Sequence, residues 1–132
     1  MSEPRAKRFD FEIALDRAGR VEAKGTQVEM PETWAPEHLV LAGLADCSLT
    51  SLRYHARRAG IAVEAKATAR GVVTKREEDG RYAFVEIECR FEVGLDPRPG
   101  EAELAALLAK AERDCFVGAS LQPAPTYVWN VA

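Results

Sequence analysis

Pro36-Glu37-His38-Leu39-Val40-Leu41-Ala42-Gly43-Leu44-Ala45-Asp46-Cys47 is the stretch on which the reading of this chain turns. Proline suits the first turn of a helix, where its missing N–H costs nothing. Glu37 in the same turn favours the positive end of the helix. The spacing predicts a helix over residues 36–58, closed by Gly60 as its C-terminal cap. Residues 39–45 are apolar nearly all round, the pattern of a helix buried on most sides. One small domain supplies little of that cover, so a second subunit is expected to help. Gly43 costs helix propensity but permits a close crossing. Arg53, Arg57 and Arg58 mark the half that reaches solvent.

Outward from this helix the periodicity changes. Residues 8–16 alternate, with Phe9, Phe11, Ile13 and Leu15 on one side, which predicts a half-buried strand. Arg17-Ala18-Gly19-Arg20 reads as a turn, and residues 21–30 as a weaker strand interrupted at Gly25. Residues 61–75 alternate again. Asp79-Gly80 carries a hairpin signal, and residues 82–95 alternate longest, with Ala83, Val85, Ile87, Cys89, Phe91, Val93 and Leu95 on one face. A second helix is expected after Gly100. Its apolar stripe is Leu104, Leu107, Leu108 and Ala111, extended four residues further by Cys115, with Gly118 disturbing any further helix. Residues 126–131 form a last short strand. The expected order is β-β-α-β-β-α-β, an α+β fold in a single domain spanning residues 1–132.

At 132 residues the chain is long enough to bury a real core. The net charge of −3, without a basic block, argues against a nucleic-acid partner. The longest apolar run is far short of a membrane span and the start lacks an apolar signal segment. The expected location is the cytoplasm. Thiols are kept reduced there, so a transient catalytic disulfide is more plausible than a structural one.

Three cysteines are present, Cys47, Cys89 and Cys115, and at least one must remain unpaired. Cys47 and Cys115 both fall on the apolar side of expected helices, so the fold is able to bring them together in a low-dielectric pocket. Two thiols so placed suit peroxide or disulfide chemistry; two small core residues are the plainer alternative. Cys89 alternates with Ile87 and Phe91 and reads as structural. A reactive Cys47 needs a positive neighbour to hold its thiolate, and its own helix supplies none close by. Glu37 stands ten residues away, about 15 Å along a straight helix. It serves the same site only through an arginine, through a broken helix or from a partner chain; otherwise it is a plain first-turn carboxylate. His38 and His55 lack the spacing of metal ligands. No Gly-rich phosphate loop or serine elbow occurs.

The residues from Pro36 to Cys47 resemble the first-cysteine helix of the OsmC/Ohr family, the osmotically inducible and organic hydroperoxide resistance proteins. That helix usually reads Pro-Glu-x-Leu, two residues, Ala-Gly, two or three residues, Cys. Ala111-Glu112-Arg113-Asp114-Cys115 resembles the end of the second-cysteine helix. The resemblance implies an intertwined homodimer, with two central helices per chain packed against antiparallel sheets. It implies Cys47 as peroxidatic nucleophile, Cys115 as resolving thiol, and Glu37 as the carboxylate that holds an arginine. That arginine is matched by Arg17, with Arg20 as runner-up. It further implies organic hydroperoxide substrates, no metal or flavin cofactor, and a dithiol reductant such as a lipoylated protein. The chain departs from the family pattern in two places. The arginine turn lacks paired glycines, and Phe116 rather than proline follows Cys115. These departures keep open an alternative, a non-enzymatic dimeric domain that binds an apolar small molecule.

Overall fold

The computed structural model describes residues 6–132, which form two compact units that meet in sequence between Ala35 and Pro36. The first unit is a small antiparallel sheet in the order β1 (Ala14–Leu15), β2 (Arg20–Ala23), β3 (Thr26–Glu29). The long strand expected over residues 8–16 is reduced to two residues. Phe11, Ile13 and Leu15 are solvent-exposed in the single chain, Phe11 at 81%. Their alternation is real, but β2 meets only Ala14 and Leu15. Gly25 does not interrupt one strand; it lies in the tight turn between β2 and β3, with Lys24 and Gly25 both at positive φ.

The second unit carries the core. Helix α1 (Pro36–Arg58) runs unbroken over the expected range. At its end Gly60, at φ 74°, bonds from its N–H to the Arg57 carbonyl at 3.0 Å, and Ile61 N–H reaches the Ala56 carbonyl at 2.9 Å. These two bonds satisfy carbonyls that the helix leaves orphaned, and the positive φ is the reason glycine stands there. Ile61 then joins the core as the chain turns into β4 (Ala62–Lys75).

β4 pairs antiparallel with β5 (Tyr82–Asp96) along almost its full length. From Ile87 to Leu95 every second residue of β5 is buried, as expected. Beyond Ile87 the expected face breaks, because the register shifts between Val72 and Val73. Val73 pairs with Phe84 and Val72 with Glu86, so Val85 is the extra residue of a bulge. Val85 therefore turns outward and Phe84 packs against the core in its place. Gly71 makes room for this: a Cβ there would lie 2.5 Å from the Phe84 ring.

Helix α2 (Glu101–Arg113) ends sooner than its stripe suggested, and a second short helix, α3 (Phe116–Ala119), follows. Cys115 lies between them and caps α3, so it is not on a helical stripe, and Gly118 is within α3 instead of ending the helical region. The last strand, β6 (Thr126–Val131), lies parallel to β5. The second sheet is thus mixed, and the order is β-β-β-α-β-β-α-α-β. Parallel pairing places Cys89 beside Tyr127 and Phe91 beside Trp129. Phe91 is fully buried and stacks on Trp129 at 4.1 Å between centroids. Such a pair adds about 0.5–1.5 kcal/mol beyond its buried area. Helix α1 packs against α2, α3 and β4, with Leu44, Leu52 and Ala56 entering the core.

Candidate functional site

Ser48 and Cys115 meet in the interior of the second unit, both completely buried. Ser48 shares the stripe of α1 with Leu44 and Leu52, one turn apart on either side. Its hydroxyl donates to the Leu44 carbonyl at 2.8 Å and stands 3.3 Å from the Cys115 sulfur. Cys115 is brought there by the break between α2 and α3. Its Sγ accepts from the Gly118 N–H at 3.3 Å, the bond that caps α3. Gly118 has to lack a side chain, because a Cβ would run into the Tyr127 hydroxyl and lie 3.3 Å from the Cys115 sulfur.

Cys47 precedes Ser48 on α1 and is half-buried, with a free thiol. It is close enough to Cys115 for the two thiols to act on one another electrostatically. Burial pushes the Cys47 thiol upward from its ordinary value. The Val117 N–H draws it back, Cys115 raises it further, and the Phe116 N–H lowers it. Within this unit the thiolate is therefore served by backbone amides and opposed by desolvation. The two thiols are thus neighbours within the second unit, an arrangement that the sequence left open.

Two groups join this pair that the pattern of the sequence did not single out for chemistry. Cys89, fully enclosed, has its thiol pushed up to about 11, by burial first and then by the charges of Cys115 and Glu88. It is a core residue, as read, yet it also neighbours Cys115. The Tyr127 phenol is raised above its ordinary value by burial, favoured in its ionised form by Ser48, and opposed by Cys115. The signal for Ser48 was legible: a hydroxyl at the centre of an apolar helical stripe. Tyr127 had none, since its place depends on a parallel pairing between segments 38 residues apart.

The remaining candidates lie elsewhere. Glu37 is exposed in the first turn of the same continuous helix, which removes the broken-helix route to Cys47. Arg17 and Arg20 belong to the β1–β2 turn of the first unit. Arg20 is tied there: its Nε donates to Asp16 Oδ2 at 2.9 Å and its backbone N–H to Asp16 Oδ1 at 2.8 Å. These bonds, with the Ala18 amide, hold the Asp16 carboxyl below the usual range. Arg17 is exposed in the same turn. Among the described residues no cluster of three or more His, Cys, Asp or Glu could hold a metal ion. No helix among them is long and apolar enough to cross a membrane.

Comparison with known proteins gives a consistent result. No curated protein matches the chain. Among solved structures, it is similar to an OsmC-like protein from Mycoplasma pneumoniae, with a TM-score of 0.71 at 20% identity over 96% of each chain. It is similar to an OsmC-like protein of unknown function from Vibrio cholerae, with a TM-score of 0.71 at 19% identity over 88% of this chain and 84% of that one. An organic hydroperoxide resistance protein from Elizabethkingia anophelis gives 0.67 at 20% identity, over 96% and 97% of the two chains. These likenesses establish the fold. The family model described as OsmC-like protein matches residues 29–130, from the end of β3 almost to the last strand's end. On that match the chain belongs to the OsmC-like protein family.

Proposed function

We propose that the protein is a thiol peroxidase that reduces organic hydroperoxides through a disulfide cycle between Cys47 and Cys115. The observation that carries this reading is the adjacency of two free thiols, one half-buried and one fully enclosed. The Cys47 thiolate attacks one peroxide oxygen. The O–O bond breaks, an alcohol departs after taking a proton, and Cys47 becomes a sulfenic acid. The Cys115 sulfur then attacks the Cys47 sulfur, water leaves, and a disulfide remains. A dithiol, such as a lipoylated protein, returns both thiols to the reduced state. The apolar surroundings favour alkyl or fatty-acyl hydroperoxides over hydrogen peroxide.

Burial works against the Cys47 thiolate, so the cycle calls for a cation. Arg17 is the better candidate, because the Arg20 guanidinium is engaged by Asp16. Glu37 orients that arginine, from its own chain or across a homodimer. A reducing cytoplasm suits the cycle. The test is peroxide-dependent oxidation of dihydrolipoamide. Cys47→Ala is expected to abolish it; a wild-type rate in that variant overturns the assignment.

One observation favours a second reading, a non-enzymatic dimeric domain that binds an apolar small molecule. Burial pushes the Cys47 thiol upward, which suits packing as well as chemistry. Mass spectrometry after one equivalent of cumene hydroperoxide separates the two. A Cys47–Cys115 disulfide supports the peroxidase; unmodified thiols with retained ligand binding support the binding domain.

A further inference from the structure

The sulfur of Cys115 has more hydrogen-bonding groups around it than a core cysteine needs. Gly118 N–H donates to it at 3.3 Å, and the Ser48 hydroxyl stands at 3.3 Å. The Tyr127 hydroxyl lies against Gly118, near enough to forbid any side chain there, and it interacts with both Ser48 and Cys115. In the thiol form the protons have an obvious order. Ser48 gives its single proton to the Leu44 carbonyl at 2.8 Å, so the Cys115 S–H donates to the Ser48 oxygen. In the thiolate form that order reverses. The fixed Gly118 amide stays, Tyr127 donates, and Ser48 has only to rotate its hydroxyl from Leu44 to the sulfur. A thiolate in a dry interior is costly unless such donors surround it.

We propose that Tyr127 and Ser48 stabilise Cys115 as the leaving thiolate when the Cys47–Cys115 disulfide is reduced. The proposal rests on the peroxidase reading only in requiring that disulfide. The external dithiol attacks through one thiolate at Cys47, the half-buried sulfur; Cys115 is enclosed and out of reach. A bond forms between the dithiol sulfur and Cys47, the S–S bond to Cys115 breaks, and its electron pair leaves on Cys115. The second thiolate of the dithiol then attacks its own bound sulfur, closing a cyclic disulfide and releasing Cys47. The two protons lost by the dithiol end on Cys47 and Cys115, and two electrons have passed to the protein. Leaving thiolates depart faster when better stabilised, so the donors around Cys115 set the rate of the first exchange.

The experiment follows reduction of the oxidised protein by dithiothreitol, in wild type, Tyr127→Phe and Ser48→Ala. The disulfide is installed by cumene hydroperoxide in one arm and by diamide in the other, and located by peptide mapping. Cys47 alkylation by iodoacetamide is measured on the reduced proteins, because that reaction never releases Cys115. The expected result for Tyr127→Phe is a reduction rate about tenfold slower, with alkylation changed less than twofold. Ser48→Ala is expected to slow reduction in the same way. Reduction within twofold of wild type in both variants overturns the proposal. So does an equal slowing of reduction and alkylation, which marks a merely structural effect. If only diamide forms the disulfide and its reduction shows the expected slowing, the leaving-group role stands and the peroxidase reading falls. If neither oxidant joins Cys47 to Cys115, both fall.

Discussion

His55 Nε2 lies 2.7 Å from Asp114 Oδ2, so the last turn of α1 is pinned to the residue immediately before Cys115. Arg113 grips the same carboxylate by two bonds of 2.9 Å. The contact sits at the C-terminal cap of α2, one residue before Cys115.

This pin makes acid stability sensitive to one carboxylate. The Asp114 carboxyl is held at about 2, against an ordinary 3.8, by the Arg113 hydrogen bond foremost and by His55 as well. Its folded value lies below its unfolded one. Its contribution is therefore present above about pH 4 and lost as pH falls through about 2. The melting temperature of wild type should drop across that window, and Asp114→Asn should drop less steeply. Asp79, held at about 2 chiefly by the Arg76 hydrogen bond, contributes in the same window from the β4–β5 turn. Both carboxylates are partly exposed, so each effect is modest. An unchanged slope in Asp114→Asn shows that the pin adds no stability.

The arginine question is settled by the pH dependence of Cys47 alkylation. A guanidinium near the sulfur favours its thiolate and moves the curve to lower pH. Arg17→Ala is expected to shift the midpoint upward and slow peroxide reduction. Arg20→Ala is expected to do little, since its guanidinium bonds to Asp16. A shift in Arg20→Ala alone exchanges the roles. No shift in either removes this turn from the site.

Gly71 is predicted to be intolerant of even one added carbon. A Cβ placed 2.5 Å from Phe84 must displace a ring that packs on the core. Overpacking of this kind costs about 1–3 kcal/mol. Urea denaturation of Gly71→Ala should show that loss, and Phe84→Ala in the same protein should relieve the clash, making the two changes less than additive. Full additivity denies the contact.

Assembly is testable without any substrate. Phe11, Ile13 and Leu15 are exposed in the first unit, and Leu39 and Val40 on α1 in the second. Covering a leucine-sized side chain contributes roughly 1.5–3 kcal/mol. Sedimentation equilibrium at micromolar concentration should therefore report two copies of the 14.5 kDa chain. A stable monomer at that concentration overturns the dimer.

The parts legible in sequence are those whose pattern is local. Helix α1, its Gly60 cap and the alternation from Ile87 to Leu95 depend on neighbours within a few residues, and their limits are met closely. The β-bulge was not legible, because Val85 and Phe84 are both apolar and only pairing with Val72 and Val73 decides which turns inward. The extended reading of residues 8–16 failed for the opposite reason. The alternation of Phe11, Ile13 and Leu15 was clear, but strand length is set by the partner, and β2 reaches only Ala14 and Leu15. At the site, the apolar contexts of Cys47 and Cys115 left a meeting of the two open, and only the family resemblance named them as a pair. The groups around Cys115 were not legible: Tyr127 arrives by the parallel β5–β6 pairing, and Cys115 owes its position to a break after Asp114 that no proline or glycine announces.

The aromatic stack has an optical consequence. Trp129 lies 4.1 Å from Phe91 and 6.1 Å from Tyr127, whose hydroxyl lies against Gly118. Its indole N–H is fixed by Glu112 at 3.0 Å, so the ring is held in one orientation. The two rings are close enough for light absorbed by Tyr127 to reach Trp129, and a change of Tyr127's surroundings on disulfide formation is expected to alter that transfer. The only other tryptophan, Trp34, precedes α1. In Trp34→Phe protein, the emission of a single indole then becomes a built-in gauge of the thiol pair, readable in real time and without a label.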